Sequence, residues 1–126
     1  MTNTDRVTRL WYEIDGHHWH RLPEYFAPDA VIRWHNTNEQ FTVPEFVRAN
    51  SDYPGNWAAE VERVLTGGDT VCSVVRVWDR EGEASFHVTS FFAFQGGLII
   101  ALDEYWGEDG APPAWRTAQR IGKPFR

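Results

Sequence analysis

The order of hydrophobic patterns predicts an α+β fold, with helices packed on one face of an antiparallel sheet. Three observations predict it. Apolar residues recur at helical spacing near the start of the chain. A helix-start signature stands at Thr42–Glu45. From residue 57 onward, four strand-like runs follow one another through short, turn-prone links.

Residues 5–14 read as a helix, because Val7, Leu10, Trp11 and Ile14 fall on one helical face. Thr4 or Asn3 can cap its start, and Asp15-Gly16 supplies a left-handed stop. A second short helix is expected over residues 17–26, with Trp19, Leu22 and Phe26 on one face. Pro23 predicts a kink or a late start there. Ala27-Pro28-Asp29 turns the chain into a strand, Ala30 to His35. Asn36 to Gln40 either joins two short strands or forms a loop. Thr42 and Glu45 then form a capping box, flanked by Phe41 and Phe46 at the positions of a hydrophobic staple. That helix runs to about Asn50 and stops before Tyr53-Pro54-Gly55. Strands follow at about 57–66, 70–78, 84–94 and 98–106. The order is helix, helix, strand, helix and four strands. The whole chain, 1–126, is expected to be one domain, with its core at about 5–107 and an irregular tail at 108–126.

Composition narrows the function. The 126 residues carry a formal net charge of −6 and no basic run, which argues against nucleic-acid binding. No apolar run approaches membrane-spanning length. The one cysteine, Cys72, allows no internal disulfide and suits a reducing cytoplasm. The N-terminus lacks the apolar core of a signal peptide, so a cytoplasmic location is expected. Seven Trp, eight Phe and four Tyr exceed what a small core usually needs, which points to a lined cavity or an interface.

The run Leu98 to Trp106 poses the main question. Strict alternation places Leu98, Ile100, Leu102, Glu104 and Trp106 on one face. The more apolar face thus carries a carboxylate beside a tryptophan. Glu104 is either a group tuned by burial for acid–base work or a strand-end residue that meets water or pairs with Arg63 or Arg76.

Three motifs carry a family resemblance. They are Tyr25-Phe26-Ala27-Pro28-Asp29-Ala30-Val31, Ser85 to Phe94 followed by Gly97-Leu98-Ile99, and Asp103-Glu104-Tyr105-Trp106-Gly107. Their order and spacing resemble the nuclear transport factor 2-like superfamily, in particular its SnoaL-like branch. The resemblance implies a cone-shaped curved antiparallel sheet wrapped around N-terminal helices, with a pocket at one end. Its members include ketosteroid isomerases, polyketide cyclases, dehydratases, epoxide hydrolases and non-catalytic binding proteins, so fold alone leaves function open. Matched residue by residue, the isomerase base falls on Trp34, its oxyanion acid on Ser90 and its tyrosine near Leu10. None of the three is kept, which disfavours isomerase chemistry of that kind. The same match places Phe86, Val88, Ser90, Leu102, Glu104 and Trp106 inward, and His87, Thr89, Phe91 and Tyr105 outward.

Glu104 is the candidate proton-transfer group. His35, at the end of the first strand, is a second catalytic candidate, although alternation turns it away from Trp34. Trp34, Tyr53, Trp57 and Trp106 are candidates for an aromatic ligand wall, against a reading as plain core. Asn36 and Ser90 are polar candidates, and the turn around Asn36, Asn38 and Glu39 can equally bond to itself. In His17-His18-Trp19-His20, only His17 and His20 share a face and no third ligand is evident, so a metal site is not expected. An outer sheet face bearing Phe91 and Tyr105 calls for a cover, and the resemblance implies a homodimer through it. The tail with Trp115 is a candidate cap for the partner or the pocket.

Two functional readings stand. One is a binder of a small hydrophobic or polyketide-like molecule that performs cofactor-free isomerisation, cyclisation or dehydration through Glu104. The other is a non-catalytic ligand binder or dimeric assembly module, which the missing isomerase residues favour.

Overall fold

The computed structural model describes residues 1–126. Helix α1 (Asn3–Asp15) begins at Thr2, not at Thr4 or Asn3. The Thr2 hydroxyl accepts from the Asp5 amide at 3.1 Å, and the Asp5 carboxylate accepts from the Thr2 amide at 3.1 Å. Asp5 selects among three adjacent capping candidates by completing this box. Val7, Leu10, Trp11 and Ile14 are buried, as their spacing requires. The helix stop lies one residue later than expected. Gly16 stays right-handed at φ −82°, and His17 takes the left-handed conformation at φ 57°.

The second helix is a 3-10 helix, Trp19–Tyr25, with Pro23 inside it. Proline lacks the amide proton that an α-helical turn would use, so the segment stays short and tight. Strand β1 starts earlier than Ala30 and covers Phe26–Trp34. A turn with Asn38 at φ 55° leads into β2 (Glu39–Phe41), which pairs antiparallel with β1. The polar stretch after His35 therefore joins two strands. Helix α2 (Val43–Ser51) starts at Thr42 with its capping box formed. Phe41 and Phe46 both pack edge-on against Trp34.

Four strands complete the sheet: β3 (Trp57–Gly67), β4 (Thr70–Asp79), β5 (Ser85–Gln95) and β6 (Leu98–Glu108). The spatial order is β2-β1-β6-β5-β4-β3. Every neighbouring pair is antiparallel except β1–β6, which is parallel. The tail holds one short helix, α3 (Ala114–Ala118), where irregular chain was expected.

The sheet curves without closing. Ala93 pairs with Ala101 and Phe94 with Ile99, so Ile100 is an extra residue in β6. Val61 pairs with Val75 and Arg63 with Val74, so Glu62 is extra in β3. Such bulges bend a strand and reverse its side-chain parity. The β6 bulge corrects the strict alternation expected for that strand. Leu98 and Ile100 are exposed and Ile99 is buried, while Leu102 and Glu104 keep the inward face. The concave face holds the core, in which Leu10, Trp11 and Phe46 from the helices join Ile32, Val75, Val88, Phe92 and Leu102 from the sheet. No helix is long and apolar enough to cross a membrane.

Candidate functional site

A cavity of about 200 Å³ lies where β1, β4 and β6 end and β3 and β5 begin. This sheet topology brings those five strand ends to one rim. Trp34, Val77 and Trp106 come from ending strands, and Trp57, Ala58 and Phe86 from beginning ones. Trp11 and Ile14 of α1 and Trp19 of the 3-10 helix form a further wall. Asn36, Thr37, Asn50 and Tyr53 line it from the loops and the end of α2. Ten of the thirteen lining residues are hydrophobic, and none is acidic or basic. A hole of this character favours apolar surface on its occupant.

The rings stand in fixed relations. Trp34 and Trp106 meet edge to face at 5.9 Å, and Phe86 and Trp106 at 6.1 Å. Trp57 is held by its indole N–H, which donates to the Pro54 carbonyl at 3.0 Å. The His17 ring bonds the Trp57 carbonyl at 2.6 Å and stacks on Trp19. His17 thus ties α1 and the 3-10 helix to the start of β3. His18 bonds Glu13 instead, and His20 is exposed.

The two asparagines are oriented by the backbone. Asn36 Oδ1 accepts from the Trp106 amide at 2.7 Å. Asn50 Nδ2 donates to the Phe46 carbonyl at 2.8 Å. Asn36 is left with its amide donors and Asn50 with its carbonyl acceptor.

Glu104 lies behind this wall and does not line the cavity. It is 1% exposed. Oε1 accepts from the Trp34 indole N–H at 3.0 Å, and Oε2 from the Ser90 hydroxyl at 2.5 Å. Burial raises its pKa to about 7, against the lowering effect of the Ser90 and Trp34 hydrogen bonds. The partners are these two neutral groups, and not Arg63 or Arg76. Ser90 itself is fully buried and does not reach the cavity. Its cross-strand neighbour Ser73 is also buried and accepts from the Trp11 indole at 3.1 Å. A polar seam thus runs beneath the aromatic wall, with Trp11 and Trp34 touching both. The indole nitrogen of Trp106 is buried without a partner.

His35 is on the other face of the sheet. Its amide continues the ladder to the Glu104 carbonyl at 3.0 Å, so its side chain points opposite to Trp34. The ring bonds Asp103 at 2.7 Å and stacks on Tyr105 at 4.3 Å. The fold therefore separates the two catalytic candidates and brings Trp34, Asn36, Tyr53, Trp57 and Trp106 together.

Sequence reasoning missed several groups. Trp11, Trp19 and Asn50 join the cavity, although α1 spacing marked Trp11 only as core, and Phe86, placed inward by the resemblance, lines it too. It also missed Glu13, a buried acid on α1 bonded by His18 at 3.0 Å and by Arg21 and the Tyr25 hydroxyl at 3.4 Å. Burial pushes its pKa up, but the hydrogen bonds and charges of His18 and Arg21 outweigh burial and hold it below the usual range. The nearby sequence of His18 and Arg21 was the available signal.

The family model of the SnoaL-like domain matches residues 7–102. The chain belongs to the SnoaL-like family. Solved structures share its fold. A candidate ketosteroid isomerase from Kribbella flavida superposes with a TM-score of 0.82 at 22% identity, covering 98% of this SnoaL-like chain and 90% of that one. An NTF-2-like protein of unknown function from Burkholderia xenovorans gives 0.79 at 16% identity, covering 97% and 94%. A candidate polyketide cyclase from Streptomyces antibioticus gives 0.70 at 15% identity, covering 86% and 93%. At these identities the likeness fixes the SnoaL-like fold and not the reaction. No curated protein is similar enough to this SnoaL-like chain to count as a match.

Proposed function

We propose that this SnoaL-like domain binds a small molecule of largely apolar surface in the aromatic cavity. The observation that carries this reading is the wall itself, uncharged and hydrophobic at ten of thirteen positions. Its volume, about 200 Å³, supports a one- or two-ring ligand, since a 150 Å³ cavity holds benzene. A polycyclic polyketide-like ligand would need the cavity to widen. A thermal-shift screen of small apolar compounds tests the reading. A hit should raise Tm in the wild type and lose most of that shift in Trp57→Leu. A screen in which Trp57→Leu keeps every shift would overturn it.

A second reading, proton transfer by Glu104 in a cofactor-free isomerisation, cyclisation or dehydration, is favoured by its pKa near neutrality. It requires Trp34 to swing off the carboxyl. Glu104→Gln should then abolish turnover while leaving ligand affinity within about threefold. Both readings keep the chain in the cytoplasm and pair two copies through the outer face of the sheet. Exposed Phe91 and Tyr105 support that pairing.

A further inference from the structure

Resting on the binding reading above, we propose that the cavity is an aromatic cage for a small alkylammonium cation of about ten non-hydrogen atoms or fewer. The rings form a band, not a stack. Tyr53 and Trp57 meet at 84°, Trp57 and Phe86 at 47°, Phe86 and Trp106 at 87°, and Trp106 and Trp34 at 72°. All five of these rings line the cavity, turned 47–87° to one another around it. Trp11 and Trp19 add indoles from the helical side. A cation within about 6 Å of an aromatic face is attracted by the ring quadrupole, most strongly by tryptophan.

Three features match a cationic occupant better than a neutral one. The wall contains no lysine or arginine to compete, and the chain carries a net charge of −6. The Trp34 indole N–H donates to the Glu104 carboxyl at 3.0 Å. An ionised Glu104 would therefore place negative charge at the indole nitrogen edge of one ring of the cage. No charged side chain contributes to the Glu104 shift, so a bound cation would be its one nearby charge partner. Arg80, which donates to the Trp57 carbonyl at 3.0 Å, is already paired with Asp15 at 2.8 Å. The free Asn50 carbonyl gives a hydroxyl on the ligand a place to donate.

Choline and its neutral carbon analogue 3,3-dimethylbutan-1-ol have the same shape and differ in charge. Titration of the full chain with each, and with indole as a neutral aromatic, separates the outcomes. Choline is expected to bind about tenfold or more tightly than the neutral analogue. Replacing the tryptophans by 5-fluorotryptophan keeps the fold and should weaken choline severalfold while leaving the neutral analogue unchanged. Trp106→Leu should weaken choline more than the analogue. Equal or tighter binding of the analogue would overturn the cage and leave the binding reading intact, as would binding of indole alone. Failure of all three probes at millimolar concentration would overturn both.

Discussion

Glu104 is the residue on which acid–base arguments turn. Its carboxyl is buried between Ser90 and Trp34, and burial lifts its pKa from the ordinary 4.5 to about 7. The linkage has a definite sign. Below pH 4.5 both folded and unfolded chains hold the proton, and the residue adds no pH dependence. Between 4.5 and 7 the unfolded chain releases it while the folded chain keeps it. Stability therefore falls as pH rises, by up to about 3 kcal/mol above pH 7. Glutamine keeps an acceptor for Trp34 and removes the titration. Glu104→Gln should accordingly match the wild type near pH 4.5 and exceed it by about 1–3 kcal/mol at pH 8 in urea unfolding. A variant less stable than the wild type at pH 8 would show that the ionised carboxylate is well satisfied. Glu104 was legible as an acid on an apolar face, because alternation needs only local sequence. Its partners were not, since Trp34 lies 70 residues away in the chain and Ser90 14.

At the scale of elements, the segment from α2 to β3 sets the cavity wall. Thr42 and Glu45 cap α2 through bonds of 3.3 and 2.9 Å, so Thr42→Ala should lower stability by about 1 kcal/mol. Gly55 has φ +123°, and a Cβ there would come within 2.9 Å of Trp57 Nε1. Gly55→Ala should destabilise by about 1–2 kcal/mol and displace Trp57, which holds the rim. Quenching of tryptophan fluorescence by an apolar ligand should weaken in this variant more than in Thr42→Ala. The α2 cap was readable because its two residues are three apart and no rival stands beside them. The α1 cap was misplaced because Thr2, Asn3 and Thr4 all qualify by type and only Asp5 chooses. The bulge at Ile100 had no sequence signature of its own, as it is a mismatch between β6 and β5.

For the whole molecule, the outer face of the sheet matters most. Phe91, Tyr105, Ile100 and Leu65 are exposed there or at its margins. Phe91 and Tyr105 stand edge to face at 6.0 Å. The tail lies near the same side, with Arg126 donating to Glu62 at 3.2 Å and His87 bonded to both Asp109 and Glu62. Sedimentation should find a dimer at micromolar concentration. Phe91→Lys should shift it to monomer while leaving the cavity able to bind. A wild type that stays monomeric would remove the outer face as an interface.

The sequence alone determined the order and type of nearly every element and offered Trp34, Tyr53, Trp57 and Trp106 as wall candidates. These depend on periodicity, capping and turn chemistry, which act between residues a few positions apart. The family resemblance added the curvature, the cavity end and the inward face of β5. Only the tertiary structure decided that β1 pairs parallel with β6, that His35 faces Asp103, and that Trp34 stands against Glu104 at the cavity wall. Those outcomes depend on register between strands distant in the chain. One extra residue in a strand reverses every side chain beyond it, and no local pattern records which partner it will meet.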